Sequence, residues 1–174
     1  MWGLYNMIKQ QSKKTGHLSN KLDKIKLLFY EMPLEDFTLR KISKLTKIPK
    51  STVKTYLDLL KSVKLISKDN KPLNSDYFNV TKTHYYIEKM FEVGLINYLI
   101  EKFMPETIIL FGSFRKGESI KESDIDLFVV THHIKKIDLT KFEKKLKHKI
   151  ELHMETNIHK LHDHLFNNVI NGIK

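Results

Sequence analysis

Two acidic residues separated by one position introduce an apolar stretch of this chain. Asp124 and Asp126 lead into Leu127-Phe128-Val129-Val130, and the alternation of side chains predicts a β-strand over 125–130. Side chains at positions i and i+2 of a strand lie on the same face. The two carboxylates can therefore share a divalent cation such as Mg²⁺, which takes oxygen ligands.

A glycine-serine pair follows an earlier apolar stretch, Thr107 to Phe111, which predicts another strand. Gly112 lets a phosphate approach the backbone, because glycine has no side chain in the way. Ser113 offers its N–H and hydroxyl at the start of the following helix, where anions are favoured. A P-loop is excluded, because Glu118 stands where that motif requires lysine.

The segment from Ile109 to Val130 resembles the signature of the minimal nucleotidyltransferases, within the polymerase-β-like superfamily. The shared features are Gly112-Ser113 followed by an aromatic residue, a short gap, and Ser123-Asp124-x-Asp126-Leu127. The resemblance covers roughly residues 105–174. It implies an NTP substrate, which we expect to be ATP, transfer of NMP to an acceptor hydroxyl with release of pyrophosphate, and Mg²⁺ or Mn²⁺ as cofactor.

The resemblance also implies a third carboxylate on a neighbouring strand, where it binds metal or acts as a base. Glu151 is the candidate, because it alternates with Ile150 and Leu152 in a further predicted strand. Glu155 shares its face and is the alternative. We therefore expect Asp124, Asp126 and Glu151 to be the catalytic and metal-binding residues.

Two basic residues depart from the family pattern. Arg115 stands where the family commonly has alanine, and Lys116 where it commonly has arginine. Lys116 keeps the positive charge but lacks the planar fork that grips a phosphate at two points. We expect both residues to bind nucleotide together with Gly112 and Ser113.

The front of the chain is strongly basic. The net charge is +11, and nine of these excess positive charges fall within residues 1–81. A local excess of this kind predicts a polyanion as partner. The alternative is general lysine enrichment, since 29 of the 31 basic residues are lysine.

Residues 21–81 resemble a winged helix-turn-helix domain. Apolar spacing predicts a helix that ends at Pro33, a second helix with Thr38 as its N-cap, and a third helix after the break at Lys47-Ile48-Pro49. Leu65-Ile66 and Tyr77 to Thr81 are predicted to be the two strands of the wing.

The candidates for DNA contact lie on the third helix and the wing. A recognition helix must bury one face and present polar and basic groups on the other. The predicted buried face of the third helix consists of Val53, Tyr56, Leu57 and Leu60. The residues expected to contact DNA are Lys50, Ser51, Thr52, Lys54, Thr55 and Lys61 on the helix, with Lys68 and Lys71 on the wing.

The sequence thus predicts an α+β protein. We expect a lead-in over 1–20, the winged helix-turn-helix over 21–81, a linking helix over 82–104, and a small polymerase-β-like α/β domain with a mixed sheet over 105–174. The linking helix is predicted from about Thr83 to Phe103, with residues such as Phe91 facing inward.

The partners follow from the small size of the predicted catalytic domain, which leaves no accessory domain to grip a second substrate. We expect a macromolecular acceptor, and the resemblance implies a partner toxin, as in toxin–antitoxin pairs. The alternatives are a DNA-binding regulator whose nucleotidyltransferase-like domain only binds nucleotide or mediates assembly, and an antitoxin that masks a toxin without chemistry. A homodimer is the default for a helix-turn-helix protein.

The sequence also indicates where the protein is located. No apolar run reaches the length of a membrane span, residues 1–14 lack a secretory signal, and cysteine is absent. We therefore expect no membrane partner and a cytoplasmic location.

Overall fold

The computed structural model describes residues 20–73 and 75–174, so the predicted lead-in lies outside it except for Asn20. The chain divides between Leu73 and Asn74 into two compact units. No helix among the described residues is long and apolar enough to cross a membrane.

The first unit contains α1 over 20–31, α2 over Leu39–Thr46 and α3 over Lys50–Ser62. Thr38 is the N-cap of α2, as predicted, and its hydroxyl accepts a hydrogen bond from the Lys41 N–H at 3.2 Å. Lys47 ends the helix in the left-handed conformation, with φ at 57°. The predicted break before α3 is therefore confirmed.

Apolar side chains on one face of each helix form the core of this unit. Ile25 and Phe29 of α1 and Ile42 of α2 are fully buried. The predicted inner face of α3 is also confirmed, since the following residues are buried: Val53, Tyr56, Leu57 and Leu60. This periodicity of i, i+3, i+4 and i+7 is typical of a helix packed on one side.

The prediction for the wing is wrong in its second strand. Ile66 forms an antiparallel bridge with Pro72, and the Leu73 N–H donates to the Leu65 carbonyl at 3.2 Å. The chain therefore returns immediately after the turn. Residues 77–81, predicted as the returning strand, lie instead in the helix α4, Asp76–Glu92.

The second unit begins with α4, followed by α5 over Leu95–Phe103. The prediction of one linking helix is wrong, because Gly94 lies between them with φ at +82° and separates the two helices. Phe91, predicted to face inward, is 45% exposed. Both helices belong to the second unit rather than forming a linker.

The second unit contains a mixed sheet whose described strands are β1 (Thr107–Phe111), β2 (Ile125–Val130) and β3 (Ile150–Glu155). β2 lies in the middle, antiparallel to β1 and parallel to β3. The short helix α6, Gly112–Lys116, follows β1 directly, and α7, Thr140–Leu146, precedes β3. The predicted strands and the mixed sheet are confirmed.

The sheet packs against helices on both faces. On one face, Ile109, Phe128 and Val130 form a core with Val169 of α8, Asp163–Ile170. A 3₁₀ turn over Ile158–Lys160 connects β3 to α8. On the other face, fully buried side chains include Leu127 and Val129 of β2 together with Phe114 of α6.

Candidate active site

The strand register aligns the two predicted acidic positions across the sheet. Asp126 of β2 is the Cα partner of Glu151 in the parallel strand β3 and of Phe111 in the antiparallel strand β1. Residues paired across neighbouring strands present their side chains on the same face. The carboxyl groups of Asp126 and Glu151 therefore project from adjacent strands on one side of the sheet.

Asp126 also lies against the turn between β1 and α6. A Cβ atom built on Gly112 would be 2.0 Å from Oδ2 of Asp126, far inside contact distance, and Gly112 has φ at +68°. Only glycine meets both requirements, because it lacks a Cβ and adopts positive φ without strain. The glycine-serine corner and the aspartate motif, 14 positions apart in the sequence, thus meet directly.

The surroundings of Asp126 raise the pKa of its carboxyl group. Partial burial raises the pKa of Asp126 above its usual value, and the nearby charge of Glu151 raises it further. The positive form of His153 lowers this pKa, while the charge of Asp124 raises it. Negative charge is therefore concentrated at this corner, which favours binding of a cation.

His153 belongs to the site, although the sequence interpretation did not single it out. Its Nε2 lies 3.3 Å from Oε1 of Glu151, and its ring packs against Phe111 with centroids 5.7 Å apart. The signal was available, because His153 stands two positions after Glu151 on the same strand and hence on the same face. The alternation along β3 predicts this shared face, but by itself it gives the histidine no role.

Glu155, the alternative third carboxylate, lies farther along β3. It is the register partner of Val130 rather than of Asp126, at the opposite end of β2. At about 3.3 Å of rise per residue, four residues separate it from Glu151 by roughly 13 Å. Of the two glutamates, Glu151 is the one beside Asp126.

The remaining nucleotide-site candidates surround the same corner. Asp124 is exposed and immediately precedes β2, and Ser113 is half-buried in the first turn of α6. Arg115 and Lys116 are exposed in the last turn of α6, and among the described residues neither side chain is engaged in an ion pair. Their charges are thus accessible to an anionic ligand.

The donor chemistry of this corner suits Mg²⁺, but a complete cage is not preformed. Among residues 20–73 and 75–174, no group of three or more acidic or histidine side chains is close enough to hold a metal ion. Mg²⁺ is usually held by one or two carboxylates together with substrate phosphates and water. Asp126, with Glu151 in register beside it, offers carboxylates of the kind that this smaller requirement calls for, and the charge of Asp124 is close enough to raise the pKa of Asp126.

The residues predicted to contact DNA lie in the first unit. Along α3, Lys50, Ser51, Lys54 and Thr55 are exposed, whereas Thr52 and Lys61 are half-buried. Lys68 and Lys71 are exposed near the turn between Ile66 and Pro72. Lys71 forms an ion pair with Asp36 at 3.0 Å, so part of its charge is neutralised.

Comparison with known proteins bears on the second unit. Residues 94–173 match the family described as Polymerase beta, Nucleotidyltransferase. This match supports a nucleotidyltransferase domain and a nucleotide substrate, and the small mixed sheet fits such a domain. Domains of this family generally use divalent metals. No curated protein and no solved structure matches the chain.

The first prediction concerns the contact between Gly112 and Asp126. Gly112→Ala and Gly94→Ala both force alanine into positive φ, at a cost of about 1–2 kcal/mol. No atom lies within 4 Å of a Cβ at Gly94, whereas a Cβ at Gly112 collides with Asp126. In urea unfolding followed by circular dichroism, we expect Gly112→Ala to lose more stability than Gly94→Ala. Equal losses would show that the close contact is unimportant.

The second prediction concerns the charge of Asp126. A carboxyl with a raised pKa stabilises the fold below its unfolded pKa, near 3.8, and loses that stabilisation as pH rises through the folded value. Without metal, Asp126→Asn should therefore raise Tm at pH 7, and the gain should disappear as the pH falls toward 4.

A matched substitution gives the opposite sign. The pKa of Asp138 is lowered, because its carboxylate accepts a hydrogen bond from Thr140. This stabilisation is present above the unfolded pKa and is lost as the pH falls, so Asp138→Asn should lower Tm at pH 7. A lower Tm for Asp126→Asn in metal-free buffer would contradict the charge repulsion inferred at the site.

Proposed function

We propose that this protein is a Mg²⁺-dependent nucleotidyltransferase that transfers NMP from an NTP, ATP in the first instance, to a macromolecular acceptor. The observation that carries the proposal is the meeting of Gly112, Asp126 and Glu151 at one corner of the sheet. The match of residues 94–173 to the nucleotidyltransferase family supports the reaction class.

Some residues of the corner would bind the metal, and the others would bind the phosphates of the NTP. Asp124 and Asp126 would hold Mg²⁺, which neutralises charge on the triphosphate and on the departing pyrophosphate. Ser113 would offer its N–H and hydroxyl to the phosphates at the start of α6, and Gly112 would leave room for the Asp126 carboxylate beside them. Arg115 and Lys116, which are exposed at the end of the same helix, would attract the triphosphate.

The transfer itself exchanges one bond to phosphorus for another. An acceptor hydroxyl oxygen bonds to the α-phosphorus, the bond from that phosphorus to the bridging oxygen breaks, and pyrophosphate leaves with the electron pair. Glu151 would either join the two aspartates at the metal or accept the hydroxyl proton. Its position beside His153, at 3.3 Å, would hold the carboxylate in place.

A hydroxyl on a partner protein is the acceptor that we propose. Residues 94–173, which match the family, make up most of the second unit, and the described part of that unit forms one compact body. A folded partner would supply its own docking surface. A toxin encoded by a neighbouring gene is the partner of this kind to test first.

The third prediction compares the two glutamates of β3 in a transfer assay. With α-labelled ATP, Mg²⁺ and the neighbouring gene product, we expect wild-type protein and Glu155→Gln to label the acceptor. Glu151→Gln should lose about 100-fold or more of the rate, the usual range for removing a proton-transfer or metal-binding group.

Substitution of the aspartates provides the stricter test. Asp124→Asn and Asp126→Asn should both abolish labelling, and removal of divalent cations with a chelator should do the same. Labelling that survives these substitutions would contradict the proposed catalytic site. Equal loss in Glu151→Gln and Glu155→Gln would contradict the assignment of Glu151.

A second function, DNA binding, is favoured by the surface of α3. The first turn of this helix has no acidic residue, and its N-cap Pro49 offers no side chain to accept from the free N–H groups. Such an N-terminus favours phosphate. Lys50 and Lys54 are exposed there and make no ion pair among the described residues. We propose a dimeric winged helix-turn-helix as the DNA-binding form.

The fourth prediction tests this surface by salt dependence. The double substitution Lys50→Ala/Lys54→Ala should weaken DNA binding in gel-shift titrations and reduce the salt slope by about two, since each lysine that neutralises a phosphate contributes roughly one. Lys144→Ala/Lys145→Ala, which removes equal charge from exposed positions of α7, should leave the slope unchanged.

The same titration separates the two functions. A regulator that only senses nucleotide would bind DNA tightly with Asp124→Asn/Asp126→Asn and show no transfer in any variant. Identical salt slopes for the two lysine pairs would contradict the assignment of α3 as the DNA-binding helix.

A further inference from the structure

One face of α4 packs on the helix that follows the glycine-serine corner. Asn79, Thr83 and Tyr86 lie at helical spacing on that face. The Thr83 hydroxyl is 2.9 Å from the Phe114 carbonyl and 3.2 Å from the Arg115 carbonyl, both in α6. The Tyr86 and Phe114 rings meet edge to face, with centroids 4.7 Å apart. α4 therefore fixes the position of α6.

The contact between α4 and the end of α6 is too close for side chains. Gly117, which ends α6, has φ at +71°, and a Cβ there would lie 2.3 Å from the Asn79 carbonyl oxygen. The backbones of the two helices thus touch directly. Close backbone contact of this kind transmits a displacement of one element to the other, because packed interiors have little free volume.

Lys82 on the same face is an unusual residue for its place. Its side chain is 2% exposed, and Nζ donates a hydrogen bond to the Ser119 carbonyl. Burying an ammonium group is costly unless it is well paired. Ser119 is itself 1% exposed and lies in the loop 117–124 that connects α6 to Asp124. The buried lysine holds the middle of that loop.

The far end of the loop is held by the segment between α7 and β3. The Nδ1 of His148 lies 2.8 Å from the Ser123 carbonyl, to which it donates. Within the loop, the Ile120 N–H donates to the Ser123 hydroxyl at 2.9 Å. The loop is therefore fixed at its middle by α4 and at its end by His148, directly before Asp124.

We propose that Lys82 and Thr83 are positioning residues of the nucleotide site, which keep Asp124 near Asp126. Lys82 holds the loop 117–124 at Ser119, whereas Thr83 holds α6, the helix from which that loop starts. α4 precedes residues 94–173, the segment that matches the nucleotidyltransferase family, yet it belongs to the same compact unit. The catalytic unit accordingly begins earlier than the family match. This inference rests on the proposed function for its consequence in catalysis.

Weakening either contact would lower the fraction of molecules in which Asp124 is correctly placed, while every metal ligand would still be present. When the loop is loosened, fewer molecules hold Asp124 in place, and the apparent affinity for a divalent cation falls by that fraction. Saturating cation selects the competent form and restores it. A positioning defect is therefore overcome by high metal concentration, whereas loss of a ligand or global damage is not.

The fifth prediction uses two threonines of α4 that differ in what they hold. Thr83→Val removes the hydroxyl that bonds to α6, whereas Thr81→Val removes one that donates to Phe78 within the same helix. We expect hydrogen exchange in peptides covering 117–124 to accelerate about fivefold or more in Thr83→Val, the factor for a hydrogen bond of roughly 1 kcal/mol.

Metal binding gives a second readout that does not need catalysis. Free Mn²⁺, followed by electron paramagnetic resonance, should show a higher half-saturation concentration for Thr83→Val than for Thr81→Val, with about fivefold as the upper limit set by the change in loop opening. In the transfer assay, kcat of Thr83→Val should recover toward wild type at saturating Mg²⁺. The Asp124→Asn variant should not recover.

Lys82 is tested by loss and rescue. Lys82→Met should show the same changes in loop exchange and Mn²⁺ binding, and Lys82→Arg, which keeps a donor, should restore part of both. If Lys82→Met fails to fold, the threonine pair alone decides. Unchanged exchange and Mn²⁺ binding in Thr83→Val relative to Thr81→Val would overturn the positioning role.

The test separates this inference from the proposed function. Altered loop exchange and Mn²⁺ binding in Thr83→Val, combined with no transfer by wild-type protein to any acceptor, would support the positioning role and overturn the transferase activity. Normal transfer at low Mg²⁺ by Thr83→Val would overturn the positioning role and leave the transferase activity standing.

Discussion

The carboxylate of Asp126 occupies the space that a Cβ of residue 112 would need, and this contact joins β2 to the turn between β1 and α6. Because a strand fixes the direction of each side chain, β2 can present Asp126 to this corner only in one register with β1. The same register, continued into β3, sets Glu151 on the other side of Asp126.

This arrangement has an electrostatic cost. Partial burial and the neighbouring acidic groups raise the pKa of Asp126, so the fold tolerates repulsion that a more stable arrangement would avoid. A protonated His153, which contacts Glu151, offsets part of that repulsion and lowers the pKa of Asp126. Stability given up at a cluster of like charges is a common feature of functional sites, where the missing counter-charge comes from a ligand.

Much of the candidate site was predictable, because spacing along a strand decides which side chains share a face. The pair Asp124 and Asp126, the glycine-serine corner and the three strands all follow from patterns within a few residues. Strand alternation places His153 on the same face as Glu151, but alternation alone does not bring that face to Asp126. The place of His153 in the candidate site depends on the register between β2 and β3, which pairs residues 25 positions apart.

The sequence by itself determined the three strands of the sheet, the buried face of α3, and which acidic residues share a face, because those properties depend on periods of 2 and 3.6 residues. Only the tertiary structure decided that 77–81 is helical, although its tyrosine, phenylalanine, valine and threonine favour a strand. Packing of Phe78, Lys82 and Tyr85 in the second unit outweighs that local preference. The contact between α4 and the loop 117–124 depends on the same packing, which joins residues distant in sequence.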